Sequence, residues 1–195
     1  MITGHLGVAG AAHSLQRNQF SAGTLVALLF ASVAPDILDV LYAIAGICNP
    51  YGLYSHTVHA AVLQAAVIGG AMLLVTGSRT AAITSASVVL LHIVGDYFTG
   101  QKLLLPGGGL VGLSWYDRPL LDFLLELPIL IGGWWMLRRS GRAPRWAVSA
   151  RTLGLLVLLQ LAFDVHAEMS DRGLKPTACL ERITSLDYAT QVATR

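Results

Sequence analysis

The sequence predicts an all-α, multi-pass transmembrane helical bundle of about five spans, preceded by a short N-terminal half-helix. Three observations predict it. Charged residues make up 12% of the 195 positions, where soluble domains carry about 25%. Hydrophobic residues make up 54%, and the mean hydropathy is +0.62. The apolar residues also fall in runs long enough to cross a bilayer, which takes about 20 residues per helix. Residues 1–163 are thus expected to form one membrane-embedded domain and residues 164–195 a polar C-terminal tail.

Residues 2–15 are apolar and glycine-rich but too short for a full span, so they read as a half-helix or interfacial helix. Gly4, Gly7 and Gly10 in this stretch suit close helix packing. No Lys or Arg occurs in residues 1–16, so a cleavable signal is not expected and targeting falls to the spans. A first span starts at residue 20; Pro35 should kink or end it, with residues 36–47 running out along the interface. After the turn Asn49-Pro50-Tyr51-Gly52, a second span runs from about Thr57 to Val75 and a third from about Thr80 to Phe98. Residues 100–119 read as a partly mobile loop with interfacial aromatics, Gly107–Gly109 being a flexible turn. A fourth span covers about Leu120–Leu137 and a fifth about Ala147–Phe163.

If the spans alternate, Arg17, Arg79 and the five arginines at 138, 139, 142, 145 and 151 fall at one end. The positive-inside bias places that end in the cytoplasm. Three polar pairs then meet at the opposite end: Asp36/Asp39, His56/His59 and His92/Asp96. Each pair is three or four residues apart, one helical turn. Ionisable groups in membrane helices are costly and mark sites.

Imidazole with carboxylate is a donor set for a divalent metal, zinc first, with manganese or iron as alternatives. Such an ion makes a nucleophile of water at neutral pH, and two ions suit phosphoester hydrolysis. A surplus carboxylate would act as general base or orient a histidine; Asp39 and Asp96 are the candidates for catalysis. Asp36, following a proline, also reads as a helix N-cap, whereas Asp39 has no such alternative. Asp122 and Glu126, one turn apart and on the same side as the three pairs, read as solvated acids at a helix start, with a supporting role at the site as the alternative. His13 and His166 read as packing residues. With a net charge of +2 and arginines confined to loops, no nucleic-acid partner is expected. Cys48 and Cys179 would share the non-cytoplasmic side, where a disulfide could persist.

Taken in order, Thr3-Gly4-His5, Ala34 to Asp39, Ser55-His56-Thr57, His92 to Asp96, Thr99-Gly100 and Leu105-Pro106 resemble the LexA-regulated, membrane-bound metal-dependent hydrolase-like family of bacteria. The similarity covers residues 1–110. It implies a multi-pass protein of the inner membrane with a metal-dependent hydrolase assignment, distantly like zinc-dependent phospholipases C. The ligands it implies are His5, Asp36, Asp39, His56, His92 and Asp96. This chain has Tyr51-Gly52-Leu53 where the family often has His-Arg-Gly, and His59 is the candidate to replace that histidine.

The expected function is therefore hydrolysis of a phosphoester or lipid-like substrate at the non-cytoplasmic membrane face, with membrane lipids as partners. The alternative is a metal-ion or proton transporter using the same His and Asp residues. A lipid-phosphate phosphatase is disfavoured, because Ser78-Arg79 and His92 lie at opposite ends of one span. A structural role remains if the pairs bond only to each other.

Overall fold

The computed structural model describes residues 2–16, 21–115 and 118–171. Six helices follow in order: α1 (Ile2–Leu15), α2 (Ala22–Ile44), α3 (Val58–Thr76), α4 (Arg79–Thr99), α5 (Pro119–Arg139) and α6 (Ala150–Asp171). Four of them, α2 to α5, are long and apolar enough to cross a membrane, and they mark the chain as a membrane protein. Only a short antiparallel hairpin, β1 (Lys102–Leu103) with β2 (Leu110–Val111), interrupts the helical pattern among the described residues.

Local chemistry sets the helix ends. Ser21, Thr57 and Ser78 cap α2, α3 and α4 by accepting from the backbone N–H three residues on. Between α3 and α4, Gly77 takes the left-handed conformation (φ 65°), and its N–H returns to the Leu73 carbonyl. Pro119 occupies the first turn of α5, where its missing N–H costs nothing. Pro35 does not end the first span. It lies inside α2, which continues to Ile44 as one helix; one lost donor is tolerable where neighbouring helices pack around the turn. Asp36 is accordingly mid-helix, which removes its reading as an N-cap.

The packing is that of a membrane bundle. The face of α3 turned inward carries Ala61, Ala65, Gly69 and Met72, while Val62, Leu63, Val67 and Leu74 point outward. Small residues inside and large apolar ones outside is the arrangement expected in lipid. Helix α1 packs against α5, α2 and α4 rather than lying apart. Its contact with α5 is close: a Cβ on Gly7 would meet the backbone of Ile129 and Leu130, and one on Gly133 would meet Gly7. This sinks the N-terminal half-helix into the bundle. The segment 100–115 holds a paired hairpin where its composition suggests a loop. Its hairpin folds back on the ends of α3 and α4, with Val58 N donating to Leu104 O (3.1 Å) and Leu113 N to Tyr97 O (3.1 Å).

Candidate metal centre

Helix α4 supplies His92 and Asp96, one turn apart and both buried. Helix α2 supplies Asp36 and Asp39, half-buried in its second half. The α2–α3 connection supplies His56. There Tyr51 and Gly52 both adopt left-handed backbone (φ 48° and 73°), and the Gly52 carbonyl accepts from Ser55 N (3.1 Å) and His56 N (2.7 Å). A Cβ at Gly52 would meet His56 Cβ at 2.7 Å and its ring at 2.9–3.0 Å, so glycine is required. Gln64 of α3 holds the turn by donating to the Ser55 carbonyl (2.6 Å).

One atom each from Asp36, His56, His92 and Asp96 lies within 4.8 Å of the other three. His56 Nε2 is 2.8 Å from Asp96 Oδ2, 3.3 Å from His92 Nε2 and 3.6 Å from Asp36 Oδ1. His92 Nε2 stands 3.5 Å from Asp96 Oδ2 and 3.6 Å from Asp36 Oδ1. Behind these atoms the other ring nitrogens are committed. His92 Nδ1 lies 2.7 Å from the Ser32 carbonyl, which can only accept, so that nitrogen carries the hydrogen. Ser55 Oγ donates its one hydrogen to Asp39 Oδ1 and accepts from Asn49 Nδ2 (2.9 Å), leaving His56 Nδ1, at 2.7 Å, as a further donor to it. In the neutral rings both Nε2 atoms therefore present lone pairs to two carboxylates.

Four acceptors converge with no hydrogen of their own to share. Such a group could hold a metal cation. Asp36 Oδ2, buried and without a hydrogen-bond partner among the described residues, adds a further donor atom. Burial lowers the pKa of His56, but Asp36 and Asp96 outweigh it and hold the ring above its ordinary value. Lys102 Nζ, from β1, approaches Asp96 Oδ2 to 3.7 Å at the rim.

The other expected ligands take different places. His5 reaches the cluster from α1: its Nε2 is 3.1 Å from Asp96 Oδ1, and its ring stacks on His92 at 3.7 Å. Asp39 stands behind His56, with Oδ2 at 3.5 Å from Nδ1 and Oδ1 accepting from Asn49 (2.6 Å) and Ser55. His59 does not join; it is exposed in the first turn of α3. Helix α3 begins only at Val58, so His56 and His59 share no helical face. Ser55, Asn49 and the Ser32 carbonyl hold the rings without belonging to the His/Asp pairs, and of these only Ser55 is marked in the chain, by directly preceding His56. Cys179 and the side chain of His166 lie outside the described residues.

A second buried polar group adjoins the first across α1. Asp122 and Glu126 are 1% and 0% exposed, which corrects their reading as solvated acids. Glu126 Oε2 accepts from Gly4 N (3.0 Å) and Thr3 Oγ1 (3.3 Å). Thr3 Oγ1 also lies 2.8 Å from Gln160 Oε1, and Gln160 Nε2 donates to Asp164 Oδ1 (2.9 Å). The four-residue spacing of Gln160 and Asp164 repeats that of Asp122 and Glu126, so α5 and α6 turn polar faces to each other. No family model, curated protein or solved structure matches this chain.

Proposed function

We propose that the chain is a metal-dependent hydrolase of the bacterial inner membrane, acting on a phosphoester or lipid-like substrate at the non-cytoplasmic face, with α6 as a fifth crossing. One observation carries the reading: four acceptor atoms of His56, His92, Asp36 and Asp96 converge at one end of the bundle. A divalent ion there, zinc first, would supply Lewis acidity and a water nucleophile at neutral pH. His56 and His92 bind through Nε2, their orientation held by Ser55 with Asp39 and by the Ser32 carbonyl. Asp96 ties the centre together, one oxygen toward His56 and His92 and the other on His5. Asp36 Oδ2 is free to take a proton from water. Asp39 is a positioning residue for His56.

The test is the metal content of detergent-purified protein beside His92→Ala/Asp96→Ala. About one or two ions per chain in the wild type and none in the variant, with phosphoester hydrolysis following the same pattern, is the expected result. No bound metal after reconstitution would sink the reading.

The transporter alternative draws on the second polar group, which touches α1 at Thr3 and Gly4 while His5 touches the first. Against it stands depth, since transport sites lie near the bilayer midplane, whereas His56 precedes α3 and Asp96 is in the last turn of α4. Metal or proton flux in proteoliposomes without hydrolysis would favour it.

A further inference from the structure

The end of the bundle opposite the metal centre has an unusual charge distribution. Arg79, Arg138, Arg139, Arg142, Arg145 and Arg151 gather there, while the described stretches around them, residues 21–30, 70–85 and 130–158, contain no Asp or Glu. Arg138 lies over the Trp134 ring at 5.2 Å and Arg139 over Trp135 at 4.1 Å. Arg142 donates to the Gln16 carbonyl (2.9 Å), tying the α5–α6 connection to the end of α1. None of these contacts neutralises a charge.

Beside these arginines a cavity of about 130 Å³ opens between α1, α2, α5 and α6. Its wall is almost wholly apolar and includes Gly10, Leu25, Leu29, Trp134, Trp146 and Leu156. A cavity of about this size takes a benzene-sized apolar group, which is room for a short length of acyl chain. The cavity is partly open, so a longer chain can continue along the helices. Leu137, Trp146 and Thr152 all line it, and each has an arginine as its immediate neighbour in sequence: Arg138, Arg145 and Arg151. Trp146 is exposed over half its surface and has the amphipathic character of a headgroup-level anchor.

We propose that this end binds an anionic membrane phospholipid, with part of one acyl chain in the cavity and the headgroup phosphate among Arg138, Arg145 and Arg151. An apolar slot alone would take any lipid, and arginines alone any anion. Their adjacency, with no acid beside them among the described residues, selects a lipid whose phosphate brings uncompensated negative charge. The site is distinct from the hydrolytic centre, so the lipid held here is a resident ligand and not the substrate.

Native mass spectrometry of the full-length protein in detergent tests this with phosphatidylglycerol and phosphatidylcholine of identical acyl chains. Phosphatidylglycerol is expected to bind about tenfold or more tightly than phosphatidylcholine, and Arg145→Gln/Arg151→Gln to bring the two level. Leu156→Trp, which fills the cavity, should weaken both lipids whatever the headgroup. Inorganic phosphate at millimolar concentration should not compete. Equal binding of the two lipids by the wild type would overturn the proposal, as would full competition by phosphate or wild-type lipid binding in both variants. All variants should keep the metal content of the wild type, which separates this result from the fate of the hydrolase reading.

Discussion

The Nε2 atoms of His56 and His92 face each other at 3.3 Å, while the opposite nitrogen of each ring donates to a separate acceptor. Two lone pairs so placed repel unless a proton or a metal cation lies between them and the nearby carboxylates.

Residues that hold the rings and residues that hold the ion should therefore differ in effect. His92→Ala should abolish stoichiometric metal binding. Asp39→Asn and Ser55→Ala, which act through His56, should weaken it by about 10–100-fold. Competition against a chelator of known affinity distinguishes the two classes.

Gly52→Ala should act like loss of a ligand although residue 52 touches no ion. Its Cβ would run into the His56 ring, and the backbone there has φ 73°. Metal content should fall while far-UV circular dichroism stays that of the wild type. Wild-type metal content in this variant would show that the turn does not set the histidine.

Metal affinity should rise with pH. The neighbouring carboxylates hold the His56 ring above its ordinary value, so its proton persists further toward neutrality and an entering ion must displace it. Below that raised pKa, affinity should climb about tenfold per pH unit for each proton displaced; above it, the dependence should flatten. Calorimetric titration between pH 6 and 8 in buffers of different ionisation enthalpy counts the protons released.

Two adjacent glycines of α5 should behave oppositely. Gly133→Ala places a Cβ against the Gly7 backbone and should cost about 1–3 kcal/mol or more, seen as a lower melting temperature in detergent. Gly132→Ala meets nothing within 4 Å and should be neutral or slightly stabilising. Equal melting of the two variants would refute the close α1–α5 contact.

Glu126→Leu should destabilise the protein by about 1–3 kcal/mol, because the Gly4 N–H loses its buried acceptor. Glu126→Gln keeps an acceptor oxygen and should recover most of that loss. If the leucine variant melts like the wild type, the second polar group contributes nothing to holding α1.

Much of the architecture is legible along the chain because its causes are local. Uninterrupted apolar runs and the caps Ser21, Thr57, Ser78 and Gly77 lie within a few residues of the helix ends they define. The end-wise grouping of Asp36, His56, His92 and Asp96 follows from counting spans, and in the structure these four do come together. Of the two outcomes expected at Pro35, a kink or an end, the end does not occur, because inside a packed bundle the helix continues past the proline.

What the sequence by itself determined is thus the helical membrane class, the positions of four helices long and apolar enough to cross a membrane, and the residues of the polar cluster that come together. Hydropathy, capping and span parity are properties of short segments, and they survive without knowledge of neighbours. Tertiary structure alone decided that Asp39 stands behind His56, that His59 faces away, and that Asp122 and Glu126 turn inward. Those outcomes depend on the rotation of each helix about its axis and on partners such as Thr3 and Gln160, 157 residues apart. Rotation is set by packing between helices distant in the chain, and no local pattern encodes it.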